Sequence, residues 1–136
     1  ARDSSGVLWF YPGNGAGGFG SRVRVGAGWN VMSAVVGAGD VNGDGRADVF
    51  ARDSSGVLWF YPGNGAGGFG SRVRVGAGWN VMTAVAAVGD LTGDGRNDLV
   101  ARDSSGVLWF YPGNGAGGFG SRVRVGAGWN IMTTLG

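Results

Sequence analysis

Apolar and polar positions alternate between two regimes along this chain. Val7-Leu8-Trp9-Phe10-Tyr11 is an unbroken apolar run, bounded by Asp3-Ser4-Ser5-Gly6 before it and Pro12-Gly13-Asn14-Gly15 after it. A short run of β-formers closed by turn residues predicts a strand buried on both faces, with Val7, Trp9 and Tyr11 on one side and Leu8 and Phe10 on the other. In Asp3-Ser4-Ser5-Gly6 the Asp and Ser side chains can bond back to nearby backbone and Gly permits positive φ, so a tight turn joins this strand to the one before it. That preceding strand is seen in full as Ala47-Asp48-Val49-Phe50-Ala51-Arg52. Ser21-Arg22-Val23-Arg24-Val25 alternates strictly, as an edge strand does when its arginines point into water and discourage unwanted pairing. Ala34-Val35-Val36-Gly37-Ala38-Gly39 holds only small or β-branched residues, which suits a crowded innermost strand. Trp9 and Tyr11 are expected in the core, Phe19 is expected to fold back over a blade edge, and no segment reads as helix.

This pattern is repeated. Ala1–Asn30 recurs unchanged at Ala51–Asn80 and Ala101–Asn130, so the 136 residues form one repeat domain with units 1–50, 51–100 and 101–136. Four short antiparallel strands per unit at this period predict an all-β fold of β-propeller blades, about three per chain. A parallel β-solenoid is the competing repeat fold, but its period is normally shorter and its turns do not close hairpins. The third unit has no counterpart of Gly37–Phe50, so one blade is split between the N- and C-terminal segments. An open arc of blades would expose apolar faces. Closure into a ring by head-to-tail homo-oligomerisation is therefore expected, with Met132–Gly136 of one copy completing the blade that starts at Ala1 of the next. A dimer gives six blades and a trimer nine, and six lies within the usual range.

Composition narrows the chemistry. Thirty-two glycines and three prolines punctuate the strands, while the 43% hydrophobic content and six tryptophans are enough to fold. The chain has no His, Cys, Lys or Glu, so the usual nucleophile–base pairs cannot be assembled and an enzyme is not expected. An aspartate-based hydrolase would need a cluster of Asp free of metal. The formal charge of +2 comes from arginines spread evenly through the units, which reads as a solvated basic face and not a nucleic-acid groove. No apolar stretch reaches membrane-span length, and no signal peptide is read in the chain. Gly13-Asn14-Gly15-Ala16-Gly17-Gly18 formally contains GxGxxG, but a strand follows it where a dinucleotide site needs a helix.

The strongest chemical signal is Asp40-Val41-Asn42-Gly43-Asp44-Gly45-Arg46-Ala47-Asp48. Oxygen side chains stand at its first, third, fifth and ninth positions with Gly at the sixth, like the first half of an EF-hand loop. Asp40, Asn42, Asp44 and Asp48 with the Arg46 carbonyl predict a Ca²⁺ site, as do Asp90, Thr92, Asp94 and Asp98 with the Arg96 carbonyl. Oxygen-only donors suit Ca²⁺ better than a transition metal, and Mg²⁺ prefers to keep several waters. The competing reading is a metal-free Asx turn in which the Asp side chains cap backbone amides.

Gly39–Val49 resembles the FG-GAP (VCBS-type) repeats of integrin-like β-propellers. The resemblance implies that this loop joins the innermost strand to the second and holds Ca²⁺. It also relates the chain to propeller lectins of the Psathyrella velutina type, which hold sugar between blades. The segment beginning Ala-Arg-Asp-Ser-Ser-Gly is similar to versions in secreted bacterial proteins, which implies an extracellular setting. Trp29 with Asn30, Trp79 with Asn80 and Trp129 with Asn130 are then candidate sugar contacts, since an indole face suits the C–H side of a sugar ring and Asn its hydroxyls. The other reading of these tryptophans is packing between blades. The function expected is a non-catalytic, calcium-binding, multivalent glycan-binding propeller. The alternative is a structural, self-assembling propeller fragment, engineered or reconstructed, with no ligand other than calcium. Identity over thirty residues in each unit is compatible with recent duplication or with construction.

Overall fold

The computed structural model describes residues 1–135. β1 (Leu8–Phe10) and β2 (Val23–Gly26) pair as a two-stranded sheet, extended by a single bridge between Arg2 and Leu8. β3 (Met32–Gly39), β4 (Asp48–Asp53), β5 (Leu58–Tyr61) and β6 (Val73–Gly76) form a four-stranded antiparallel meander. β7 (Met82–Gly89), β8 (Asp98–Asp103), β9 (Leu108–Tyr111) and β10 (Val123–Gly126) repeat it. Each meander is a propeller blade. The Val-Arg-Val strands lie at one edge, and the light strands β3 and β7 lie at the other, packed alongside each other. Small residues allow that approach: a bulky side chain at Ala38, which is buried, would hold the inner strands apart.

The two faces of the third strand differ more than the apolar run implies. Leu58 and Phe60 are buried against Phe50 and Leu99, whereas Trp59 and Tyr61 are only half-buried. Trp9 and Tyr11 are not in the core: Trp9 is half-buried and Tyr11 exposed. Trp9 donates its indole Nε1–H to Asp3 at 2.8 Å and so keeps to a polar edge, while Tyr11 has no tryptophan against it among the described residues, as Tyr61 has Trp29 and Tyr111 has Trp79.

Three short 3-10 turns, Trp29–Val31, Trp79–Val81 and Trp129–Ile131, carry the chain from the outer edge of one blade to the inner strand of the next. Each follows a glycine at φ near +83°, as at Gly28, where a side chain would strain the backbone. The Trp79 N–H donates to the Gly56 carbonyl at 2.9 Å, and Arg52 donates to the carbonyls of Trp79 and Met82. The same arginine contacts recur from Arg2 and Arg102. Met132–Leu135 pairs with no strand among the described residues, and the expected strand's last residue, Gly136, lies outside them. No helix among the described residues is long and apolar enough to cross a membrane.

Identical residues in successive units differ sharply in exposure. Phe60 is 4% exposed because it packs 5.7 Å from Phe50 within its four-stranded sheet. Phe10, which also has a glycine of the next blade (Gly67) against its ring but lies in the two-stranded sheet, is 42% exposed. Val41 is 7% exposed and its carbonyl accepts from Gly117 N–H at 3.1 Å, whereas its counterpart Leu91 is 60% exposed. Phe19 is 70% exposed, although Phe69 and Phe119 pack against aromatic neighbours. Covering one such side chain is worth roughly 1.5–3 kcal/mol, which is what the internal junction supplies to Val41, Phe69 and Phe119.

These copies also supply an internal control. A Cβ on Gly63 would stand 2.0 Å from the Ala47 carbonyl oxygen, while one on Gly13 meets nothing within 4 Å. Gly63→Ala is expected to lower unfolding free energy by about 2–3 kcal/mol, and Gly13→Ala to change it little, as measured by urea denaturation.

Candidate binding sites in the loops and at the blade junctions

The Asp40–Asp48 loop winds around one carboxylate. Asp40 accepts backbone N–H bonds from Gly43 at 2.7 Å, Asp44 at 3.2 Å and Gly45 at 2.8 Å. Gly45, at φ +82°, makes the bend that aims its amide at Asp40. These amides, Gly45 foremost, hold the Asp40 carboxyl below its ordinary pKa, and the same is true of Asp90. Asn42 and Asp44 stand beside Asp40, with Asp44 N–H donating to Asn42 Oδ1 at 3.1 Å and Arg46 N–H to Asp44 Oδ1 at 2.9 Å. In the second loop Asp90 receives Gly93, Asp94 and Gly95, and Arg96 N–H donates to Asp94. Thr92 Oγ1 approaches Asp90 at 3.5 Å.

Asp48 is placed differently from the rest of its loop. It is 1% exposed, and its oxygens accept from Val41 N–H at 3.0 Å and Gly63 N–H at 2.8 Å. Asp98 does the same for Leu91 and Gly113. Each ties the inner loop to the end of the third strand through two backbone amides. No group of three or more acidic side chains converges on one point among the described residues. Asp40, Asn42 and Asp44, with Asp90, Thr92 and Asp94, remain as oxygen-only donors on surface loops, which is the chemistry a hard cation takes.

At the blade junctions the tryptophans act as wedges. Trp29 is buried, with its ring 4.8 Å from Tyr61 and 5.9 Å from Phe69. Trp79 is buried against Tyr111 at 4.7 Å and Phe119 at 6.5 Å. Trp129 is half-buried. Asn30, Asn80 and Asn130 are exposed but sit beside Gly6, Gly56 and Gly106 at the strand-joining turns. The junction therefore separates each Trp–Asn pair: the tryptophan goes between blades and the asparagine covers a turn. Above Trp79 and Tyr111 lies a crevice of about 400 Å³, walled by Arg74 from one blade and by Asn114 and Phe119 from the next. The size is that of a small-ligand site. Tyr111 and Asn114 lie in the run and loop read from the sequence as strand and turn, and no local signal sets them opposite Arg74.

On the outer side of each blade, Arg22 lies 3.8 Å over the Trp9 ring, and Arg72 and Arg122 do the same over Trp59 and Trp109. Trp59 Nε1–H donates to Asp53 at 2.9 Å, and this bond, then the Val57 N–H, holds the Asp53 carboxyl below its ordinary pKa. The stack makes the polar face of the third strand a built structure and not merely exposed core.

Comparison with known proteins agrees with this architecture. The family profile of the FG-GAP-like repeat matches residues 1–51 and 40–101. The chain belongs to the FG-GAP-like repeat family. No curated protein matches it. Among solved structures it is similar to a lectin from Agrocybe aegerita described as recognising non-reducing terminal N-acetylglucosamine, with a TM-score of 0.63 and 27% identity. The match covers 89% of this chain and 33% of that one, so the chain spans about a third of the lectin's length. The expected propeller fold and the FG-GAP resemblance both stand.

Asp3, Asp53, Asp103, Asp40 and Asp90 all have folded pKa values below the ordinary 3.8. Such groups contribute stability above the unfolded pKa and lose it as pH falls through the folded one. In chelator, the urea midpoint should hold between about pH 7 and 5 and fall below about pH 4. Trp59→Phe should return the Asp53 titration, followed by NMR, toward 3.8.

Proposed function

We propose that the chain is a non-catalytic glycan-binding β-propeller module that binds calcium in its Asp loops and acts multivalently in a closed ring. The observation that carries the glycan reading is the crevice between blades. Half-buried Tyr111 and Phe119 in its lining offer aromatic surface to sugar C–H groups, while Arg74 and Asn114 offer hydrogen bonds to hydroxyls. The similarity to a lectin supports the same assignment. A glycan array probed in calcium tests it. Arg74→Ala with Asn114→Ala should lower the affinity of the second junction at least about tenfold, the loss of roughly one charged hydrogen bond, with the melting temperature unchanged. Binding to no glycan leaves the alternative, a self-assembling module whose only ligand is calcium.

In the calcium reading, Asp40, Asn42 and Asp44 with the Arg46 carbonyl hold one ion, and Asp90, Thr92 and Asp94 with the Arg96 carbonyl hold another. Asp48 and Asp98 position the loops. A bound cation relieves repulsion between the carboxylates and stabilises only the folded chain, by about 2.7 kcal/mol at a hundredfold excess over Kd. Chelator should therefore lower the melting temperature, and Asp40→Ala with Asp90→Ala should abolish the difference.

Ring closure is supported by the two apolar end faces, one carrying Tyr11 and Phe19 and the other carrying Leu91 and Met132. Two copies of about three blades give six, the size favoured over the nine of a trimer. An extracellular setting accords with a multivalent glycan binder, since avidity rises with the number of sites presented together.

A further inference from the structure

Four Asn-Gly pairs stand in this chain: Asn14-Gly15, Asn64-Gly65 and Asn114-Gly115 in the glycine-rich loops, and Asn42-Gly43 in the first Asp loop. In such a pair the glycine nitrogen has no Cβ beside it to hinder attack. The side-chain amide carbon of the asparagine lies within reach of that nitrogen through a five-membered ring. Closure of the ring depends on where the side-chain carbonyl points, what holds its oxygen and whether the glycine N–H is free.

The two kinds of loop differ on each count. Asn64 Oδ1 accepts from the N–H groups of Ala66 at 2.8 Å and Gly68 at 3.0 Å. Asn114 Oδ1 accepts from Ala116 at 2.8 Å and Gly118 at 3.0 Å. Bonds to the second and fourth residues ahead fold the side chain back over the peptide between them and bring its amide carbon toward the glycine nitrogen. The same two N–H groups sit where negative charge gathers when that carbon is attacked, as in an oxyanion hole. The N–H groups of Gly65 and Gly115 donate to nothing among the described residues. Arg46 and Arg96 set a cation beside them, each with Nε 3.3 Å from where a Cβ on the glycine would stand. A positive group there favours both the deprotonated amide and the oxyanion. Asn14 makes the same two bonds, with nothing close to Gly15. In the Asp loop, by contrast, Gly43 N–H is held by the Asp40 carboxylate at 2.7 Å, and Asn42 Nδ2 donates to Asp44 at 3.3 Å. The carboxylate opposes loss of the Gly43 proton.

We propose that Asn64 and Asn114 are self-modification sites, at which the following glycine nitrogen displaces the side-chain amide, and that Asp40 shields Asn42 from the same reaction. Gly65 N–H gives its proton to water as the nitrogen attacks Asn64 Cγ and the N–Cγ bond forms. The Cγ–Nδ2 bond then breaks, and Nδ2 leaves as ammonia after taking a proton from water. Water next adds to one carbonyl of the cyclic imide and breaks its bond to the ring nitrogen, which regains a proton. Opening at Cγ leaves aspartate, and opening at the main-chain carbonyl leaves isoaspartate. Each event replaces a neutral side chain by a carboxylate and takes one from the formal charge of +2. Asn114 walls a crevice that Arg74 also lines, so the new carboxylate there would share it with a guanidinium.

Mass spectrometry of the full chain, warmed at neutral pH in chelator and sampled over time, tests the proposal. Cleavage at Met32, Met82 and Met132 before trypsin keeps the otherwise identical peptides apart. In the folded chain Asn64 and Asn114 should convert at least about tenfold faster than Asn42, with Asn14 between them. In urea the four rates should converge, and those of Asn64 and Asn114 should fall. Arg46→Gln, a change at an exposed side chain, should slow Asn64 and leave Asn114 as the internal reference, and Arg96→Gln should do the reverse. Equal rates at Asn42 and Asn64 in the folded chain overturn the proposal. So does an Asn64 that converts faster in urea than when folded, because the loop then protects it.

Discussion

A blade of four short strands has two apolar faces and too little chain to cover either. Everything distinctive about this molecule follows from that shortage. Trp29 and Trp79 leave their own blades at a 3-10 turn and wedge against the tyrosine and phenylalanine of the next. Arg52 fixes the turn by holding its carbonyls, and the turn in turn fixes the angle at which the next inner strand departs. Stability is then shared between neighbours, as in other repeat proteins, and no blade is a folding unit by itself.

The buried carboxylates of Asp48 and Asp98 make the second link, within a blade. Each joins the Asp loop to the third strand through two backbone amides, so the loop's shape is imposed by the sheet beneath it. A carboxylate in that position is tolerable because both oxygens are satisfied; one left unpaired would cost several kcal/mol. Half-buried Asp40 and Asn42 and exposed Asp44 are thereby held in a wound loop whose amides turn in on the Asp40 carboxylate. Binding chemistry sits on a loop and is positioned by a rigid sheet.

Sequence identity between units also separates what a residue is from where it stands. Phe10 and Phe60 have the same neighbours along the chain, yet one is open and the other covered. Gly13 and Gly63 differ in the same way, since only Gly63 has another unit's backbone against it. Local sequence cannot encode such differences. They measure what a strand gains from the inner strands of its own blade.

The period, the four strands per unit, the light inner strand, the arginine-bearing edge and the Asp loops were all legible from residue order alone. Each depends on contacts within one unit: alternation along a strand, turn chemistry, or oxygen donors at alternate positions. Other features required the folded chain. Trp9 reads as core in a five-residue apolar run, but its bond to Asp3 and the stacked Arg22 place it on a wet face. Trp29 and Asn30 are adjacent in sequence but part at the turn, one to the junction and the other to Gly6. Asp48 belongs to the loop by spacing and to the core by burial. The crevice of Arg74, Trp79, Tyr111 and Asn114 joins residues from two units. Local order determined the blade; the approach of one blade to another decided the sites, because those sites are made of surfaces that no single unit can bring together.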